Sequence, residues 1–168
     1  MAKEWQVLVK NIPLEEVLPH IKTIFDPNYK EMYDKGGKEF TDFIHSEIRG
    51  YVVRMNTQLL QLLKLKKAGC VCCGLDCAGF DVRKNKNVKD PRKRIRLFPF
   101  VLDEYGYKID LTRDHIVPAS KGGISRIFNL QPLCVECNGY KGDSESFPVV
   151  KELVTIKRRE RAKKRNSK

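Results

Sequence analysis

No apolar run in this 168-residue chain approaches the roughly 20 residues that a membrane-spanning helix needs. A membrane partner is therefore not expected. The opening residues, MAKEWQVLVK, lack the apolar stretch and cleavage site of a secretory signal. The expectation is a cytoplasmic protein, bacterial or phage-encoded and acting in the host cytoplasm. Internal repeats are also missing, apart from a doubled Cys-x-x-Cys. What is present, 41% hydrophobic and 32% charged residues, suits one globular domain or a small domain with an appendage. In a reducing compartment, six cysteines point to metal binding or reactivity rather than to disulfides.

Charge is uneven. The net +12 is more than supplied by two segments of +7 each, residues 83–96 (RKNKNVKDPRKRIR) and 157–168 (KRRERAKKRNSK). The remainder is close to neutral. Two basic segments on a neutral body predict a polyanionic partner, DNA or RNA. A solubilising tail is the plain alternative for a terminal basic run alone. The expected phosphate contacts are Arg92, Lys93, Arg94 and Arg96 in the first segment, and Lys157, Arg158, Arg159 and Arg161 in the second.

Residues 1–66 read as a helical N-terminal region. Leu14–Phe25 is one apolar-rich stretch. Phe40, Phe43, Ile44, Ile48, Tyr51, Val52, Met55, Leu59, Leu62 and Leu63 then recur at three- and four-residue steps. That stripe predicts a long amphipathic helix over Lys38–Lys66, packed on the shorter N-terminal helices. Self-association through it, giving a homodimer, is the lesser possibility. Residues 81–94 are charged and aperiodic and predict an exposed basic loop. Ile95–Val101 and Tyr107–Leu111 are β-rich runs around a turn at 103–106. Short helices are expected from Cys134 and near 148–161, and the tail after Arg158 is expected to stay disordered until it meets its partner.

Cys70-x-x-Cys73 and Cys134-x-x-Cys137 together supply four thiolates. Two intervening residues let a tight turn aim both sulfurs at one ion, so the expectation is a structural tetrahedral Zn2+ closing a long loop. Buried or redox-active thiols are the alternative. Cys72 and Cys77 are spares, the latter in a possible three-residue spacing from Cys73.

Asp114-His115 places a hard oxygen ligand beside an imidazole. A carboxylate suits Mg2+ or Mn2+, and imidazole suits proton abstraction from water. Adjacent residues in an extended segment point to opposite sides, so one can hold a cation while the other faces water. Asn138 adds a neutral carbonyl oxygen just after Cys137.

The segment Asp114-His115-Ile116-Val117-Pro118-x-Ser120-x-Gly122-Gly123, followed by Asn129-Leu130-Gln131-Pro132-Leu133-Cys134-x-x-Cys137-Asn138-x-x-Lys141-Gly142, resembles the HNH endonuclease family. Cys70-x-x-Cys73-Gly74 fits its zinc-bearing branch. The resemblance covers about residues 70–145. It implies a zinc-stapled ββα-metal nuclease domain, placed at 67–150; with the helical reading of residues 1–66 and the basic run at the end, the expectation is an α+β chain of a helical N-terminal region (1–66), that domain, and a basic C-terminal helix or tail (151–168). The resemblance further implies His115 as general base, Asp114 and Asn138 as ligands of a catalytic Mg2+ or Mn2+, Asn129 as a brace for the loop carrying His115, and Lys141 as a phosphate contact. The implied activity is hydrolysis of phosphodiester bonds in DNA, expected to be double-stranded. A zinc-stapled binding module without activity, or an RNA-cleaving nuclease, are the alternatives.

Overall fold

The computed structural model describes residues 4–90, 94–144 and 146–167. From the N-terminus, strand β1 (Trp5–Ile12) leads into α1 (Leu14–Val17) and a 3-10 turn at Leu18–His20. Helices α2 (Tyr29–Lys35) and α3 (Gly37–Ile44) follow, then strands β2 (His45–Ile48) and β3 (Tyr51–Arg54), and α4 (Gln58–Leu65). Beyond the first cysteine pair lie β4 (Cys77–Asn85), β5 (Ile95–Leu102), β6 (Lys108–His115) and β7 (Leu130–Cys134). The chain closes with α5 (Val135–Lys141) and α6 (Pro148–Asn166). No helix among the described residues is long and apolar enough to cross a membrane.

Five strands form one antiparallel sheet in the order β1-β4-β5-β6-β7. The sheet thus draws on both sides of residue 66. Val82, Val101, Ile109 and Leu111 are buried in a core shared with Ile12, Val17, Met55, Leu60 and Leu63. The turn between β5 and β6 is set by Asp103, whose Oδ1 accepts from the backbone N–H groups of Tyr105 and Tyr107.

The long helix expected over Lys38–Lys66 is not formed. Its middle is the β2–β3 hairpin, in which His45 faces Arg54 and Ile48 faces Tyr51. Arg49 and Gly50 turn the corner with φ of 51° and 81°. Positive φ at both central residues gives a twist that matches paired strands, and glycine takes it without a Cβ penalty. The β-branched pair Val52-Val53 favours extended backbone and alternates as a half-buried strand does, Val53 inward and Val52 outward. The helical stripe was met by α3 and α4 separately, and apolar spacing alone did not reveal the break between them. Leu14–Phe25 likewise yields only α1 and the 3-10 turn, since Pro19 limits the helix.

Two further expectations are corrected. The start of the expected basic loop, through Asn85, is the second half of β4, where Arg83 and Lys84 pair with Arg96 and Ile95. The tail after Arg158 is the last two turns of α6. Pro148 opens that helix at a position where its missing N–H costs nothing. Val150, Val154 and Arg158, at four-residue steps, form its buried face.

Candidate active site and metal centre

The two cysteine pairs converge. The sulfurs of Cys70, Cys73, Cys134 and Cys137 all lie within 4.8 Å of one another. The first pair sits on a knuckle closed by Cys70 N–H to the Leu75 carbonyl (2.8 Å) and Gly74 N–H to the Cys70 carbonyl (3.0 Å). Val71 N–H bonds the Pro132 carbonyl at 3.1 Å, which ties that knuckle to β7. The second pair opens α5, with Cys134 as N-cap accepting from Cys137 N–H. Hydrogen bonds from Cys134 and Cys137 pull the Cys70 thiol down to about 6 and Cys73 lower still, and the same contacts push the Cys134 and Cys137 thiols up. Four sulfurs this close, two of them readily ionised, suit a soft divalent ion, and together they could hold one zinc with no open position. Burial instead pushes the Cys72 and Cys77 thiols up, which leaves them as packed, protonated side chains.

The α6 helix docks on this cluster. The Arg158 guanidinium donates through Nε to Glu136 Oε2 at 2.8 Å and approaches the sulfurs of Cys73 (3.5 Å) and Cys134 (3.4 Å). It is only 3% exposed, so it is not a phosphate contact. Arg161 is also turned inward: it pairs with Glu136 and Asp103, and its guanidinium lies over the Tyr107 ring. Basic side chains near negative thiolates and carboxylates are drawn to them, and composition alone hides that pull. Arg159 is exposed, and Lys157 is exposed beside the Tyr140 ring. Arg96 is exposed on β5 and Arg94 is half-buried, while Arg92 and Lys93 lie outside the described residues.

Asp114 and His115 end β6 and point to opposite faces of the sheet, as successive strand residues do. Asp114 faces α5. Its Oδ2 accepts from Gln131 Nε2 at 2.9 Å and pairs with Lys141 Nζ at 3.1 Å. Gln131 stands directly across the β6–β7 ladder from Asp114. Oδ1 takes no hydrogen bond from a described residue. Lys141 also donates to the His115 carbonyl and is 3% exposed. It therefore anchors Asp114 and the end of β6 and is not presented to a substrate phosphate. A buried ammonium needs such partners, and the nearest carboxylate claims it. Asn138 is one helical turn before Lys141, on the same side of α5. The carboxylate and the Asn138 amide thus come from packed elements and could supply oxygen ligands to a hard cation.

His115 faces the other way, towards α4. Its Nε2 lies 2.8 Å from Ser125 Oγ, and Gln58 of α4 holds the Ser125 carbonyl at 3.0 Å. Asn129 spans the loop that follows β6: its Oδ1 accepts from Val117 N–H, and its Nδ2 donates to the carbonyls of Val117 and Ile124. The Asn129 carbonyl accepts from Ile116 N–H. Gly123 closes the same loop so tightly that a Cβ there would meet the Val117 carbonyl oxygen at 1.8 Å. Sequence reasoning missed Ser125, Gln131, Glu136 and Gln58. Gln131 and Glu136 carried a signal, as polar residues inside an otherwise apolar strand and beside a cysteine pair. A lone serine in a loop carried none.

Among known families, the model described as HNH endonuclease matches residues 106–153. No curated protein and no solved structure matches. The matched segment contains β6, the Asn129-braced loop, β7, the second cysteine pair and α5. Over residues 106–153 the chain is therefore similar to the HNH endonuclease family.

Proposed function

We propose that the chain is a metal-dependent endonuclease that hydrolyses phosphodiester bonds in double-stranded DNA. The observation that carries this reading is the split at the end of β6: His115 is fixed through Nε2 by Ser125, while Asp114 is fixed on the opposite face by Gln131 and Lys141. We take His115 in the tautomer whose Nε2–H donates to Ser125 Oγ, which leaves the lone pair on Nδ1. That nitrogen takes the proton of the attacking water. Asn129 holds the loop so that the imidazole does not swing away, and Gln58 holds Ser125 in turn. Asp114 and Asn138 would supply the oxygen ligands for Mg2+ or Mn2+. Such a cation, when bound, supplies charge stabilisation at the phosphate and leaving oxygens. The four cysteines would hold a structural Zn2+, which would fix the start of α5 and with it Asn138 and Lys141.

The test is incubation of the zinc-loaded protein with supercoiled plasmid, with and without Mg2+. Nicked or linear product that needs Mg2+ supports the reading. An intact plasmid under both conditions, with Mn2+ also tried, overturns it.

A further inference from the structure

A cleft of about 800 Å3 separates the N-terminal elements from the sheet. One wall is the end of α3 and the β2–β3 hairpin, with Phe40, His45 and Arg54; the other is β5 and β6, with Arg96, Leu111 and Arg113. Among the described residues, three arginines from three different strands line it against a single carboxylate, Asp90. Arg96 and Arg113 are exposed and have no carboxylate partner among the described residues. Arg54 is exposed and is oriented by Asn56, whose Oδ1 accepts from Nε at 2.5 Å.

The cleft leads to the candidate base. Leu111, Arg113 and His115 alternate on one face of β6, about 6.6 Å apart at each step. Gln58 lines the cleft, holds the Ser125 carbonyl, and so abuts the residue bonded to His115. Its cationic lining ends on β6 at Arg113, two residues before His115. The exposed part of α6, by contrast, belongs to a helix whose inner arginines are bound to Glu136 and Asp103.

We propose that this cleft seats the sugar–phosphate backbone of the DNA strand next to the scissile bond, with Arg54 and Arg113 as phosphate contacts. The proposal rests on the nuclease reading above. It assigns a role to the N-terminal elements: the β2–β3 hairpin forms one side of the substrate track. At its size the cleft takes a stretch of one strand, so the duplex lies across its mouth with one backbone inside.

The test measures binding of the zinc-loaded full chain to a short fluorescent DNA duplex without Mg2+, across a salt series. The proteins are wild type, R54Q/R113Q, R54K/R113K and K10Q, the last on edge strand β1. Each lost phosphate contact lowers the log–log salt slope by ~0.9 on duplex DNA, so R54Q/R113Q should lose about 1.8. R54K/R113K should keep the wild-type slope, because the charges remain, and K10Q should match wild type. A glutamine pair with an unchanged slope overturns the cleft while leaving the nuclease reading intact. So does a lysine pair that loses as much as the glutamine pair, since the loss then is not one of charge. A wild-type protein that binds no DNA overturns both.

Discussion

The Arg158 guanidinium stands 3.4 Å from the Cys134 sulfur, so the C-terminal helix is fastened to the four-cysteine cluster by a charged contact. The same side chain bonds the buried Glu136. Removing it leaves a buried carboxylate short of a partner, a change that costs roughly 3–5 kcal/mol when a buried pair is broken. Arg161 still reaches Glu136, which places the expected loss for Arg158→Ala near ~3 kcal/mol. Urea unfolding of the variant measures this directly. Deleting residues 157–168 should be at least as damaging, because it removes Arg158 and Arg161 together. Weak DNA binding by that truncation would therefore report lost structure as well as lost charge.

Zinc removal should undo the same region. Structural zinc in small sites contributes to folding itself, with apparent binding free energies of ~10–16 kcal/mol in zinc-finger peptides. Freshly purified protein is expected to contain one zinc per chain by elemental analysis. A strong chelator should then lower helix content by circular dichroism as α5 and α6 loosen. Metal-free protein with unchanged helix content and stability would contradict this.

How far the sequence revealed these features depended on how local their causes are. The four sulfurs were legible because paired spacing dictates their geometry, and Asp114 and His115 because neighbours on a strand must diverge. The β2–β3 hairpin was not, because its residues also satisfy helical spacing and only Arg49-Gly50 marks the turn. Arg158 and Arg161 read as phosphate contacts since a sequence counts charge without showing what each charge faces, and Lys141 did so because the family resemblance implied it. Their carboxylate and thiol partners are 22 to 85 residues away, Asp114 standing 27 residues before Lys141 within the same motif.

Lys141 gives a separate test of the corrected site. It is the cationic partner of Asp114 inside the protein, so Lys141→Ala leaves that carboxylate uncompensated. Stability should fall by roughly 3–5 kcal/mol, the range for losing one member of a buried pair. DNA binding by the variant that remains folded at low temperature should keep the wild-type salt slope. A slope reduced by ~0.9 would instead mark Lys141 as a phosphate contact.

Acid should weaken the sheet through Asp81. Burial alone would raise its pKa, but bonds from Lys108, the Asn11 N–H and Arg83 outweigh that and hold it below the ordinary carboxylate value. A carboxyl depressed in the folded state stabilises fully above its unfolded pKa, ~3.9, and the contribution is lost as pH falls through the folded value. Asp81→Asn should accordingly be less stable than wild type at pH 6, and the gap should narrow below pH ~4. Unfolding curves at both pH values provide the comparison.

The central claim is that His115 takes the proton from the attacking water. Its most direct test is plasmid cleavage in Mg2+ by wild type and His115→Ala, with DNA binding measured alongside. A general base contributes typically ~10²–10⁴-fold to rate and makes little contact in the ground state. The account predicts a loss of at least that order in cleavage with DNA affinity nearly unchanged. Cleavage by His115→Ala at the wild-type rate would contradict it.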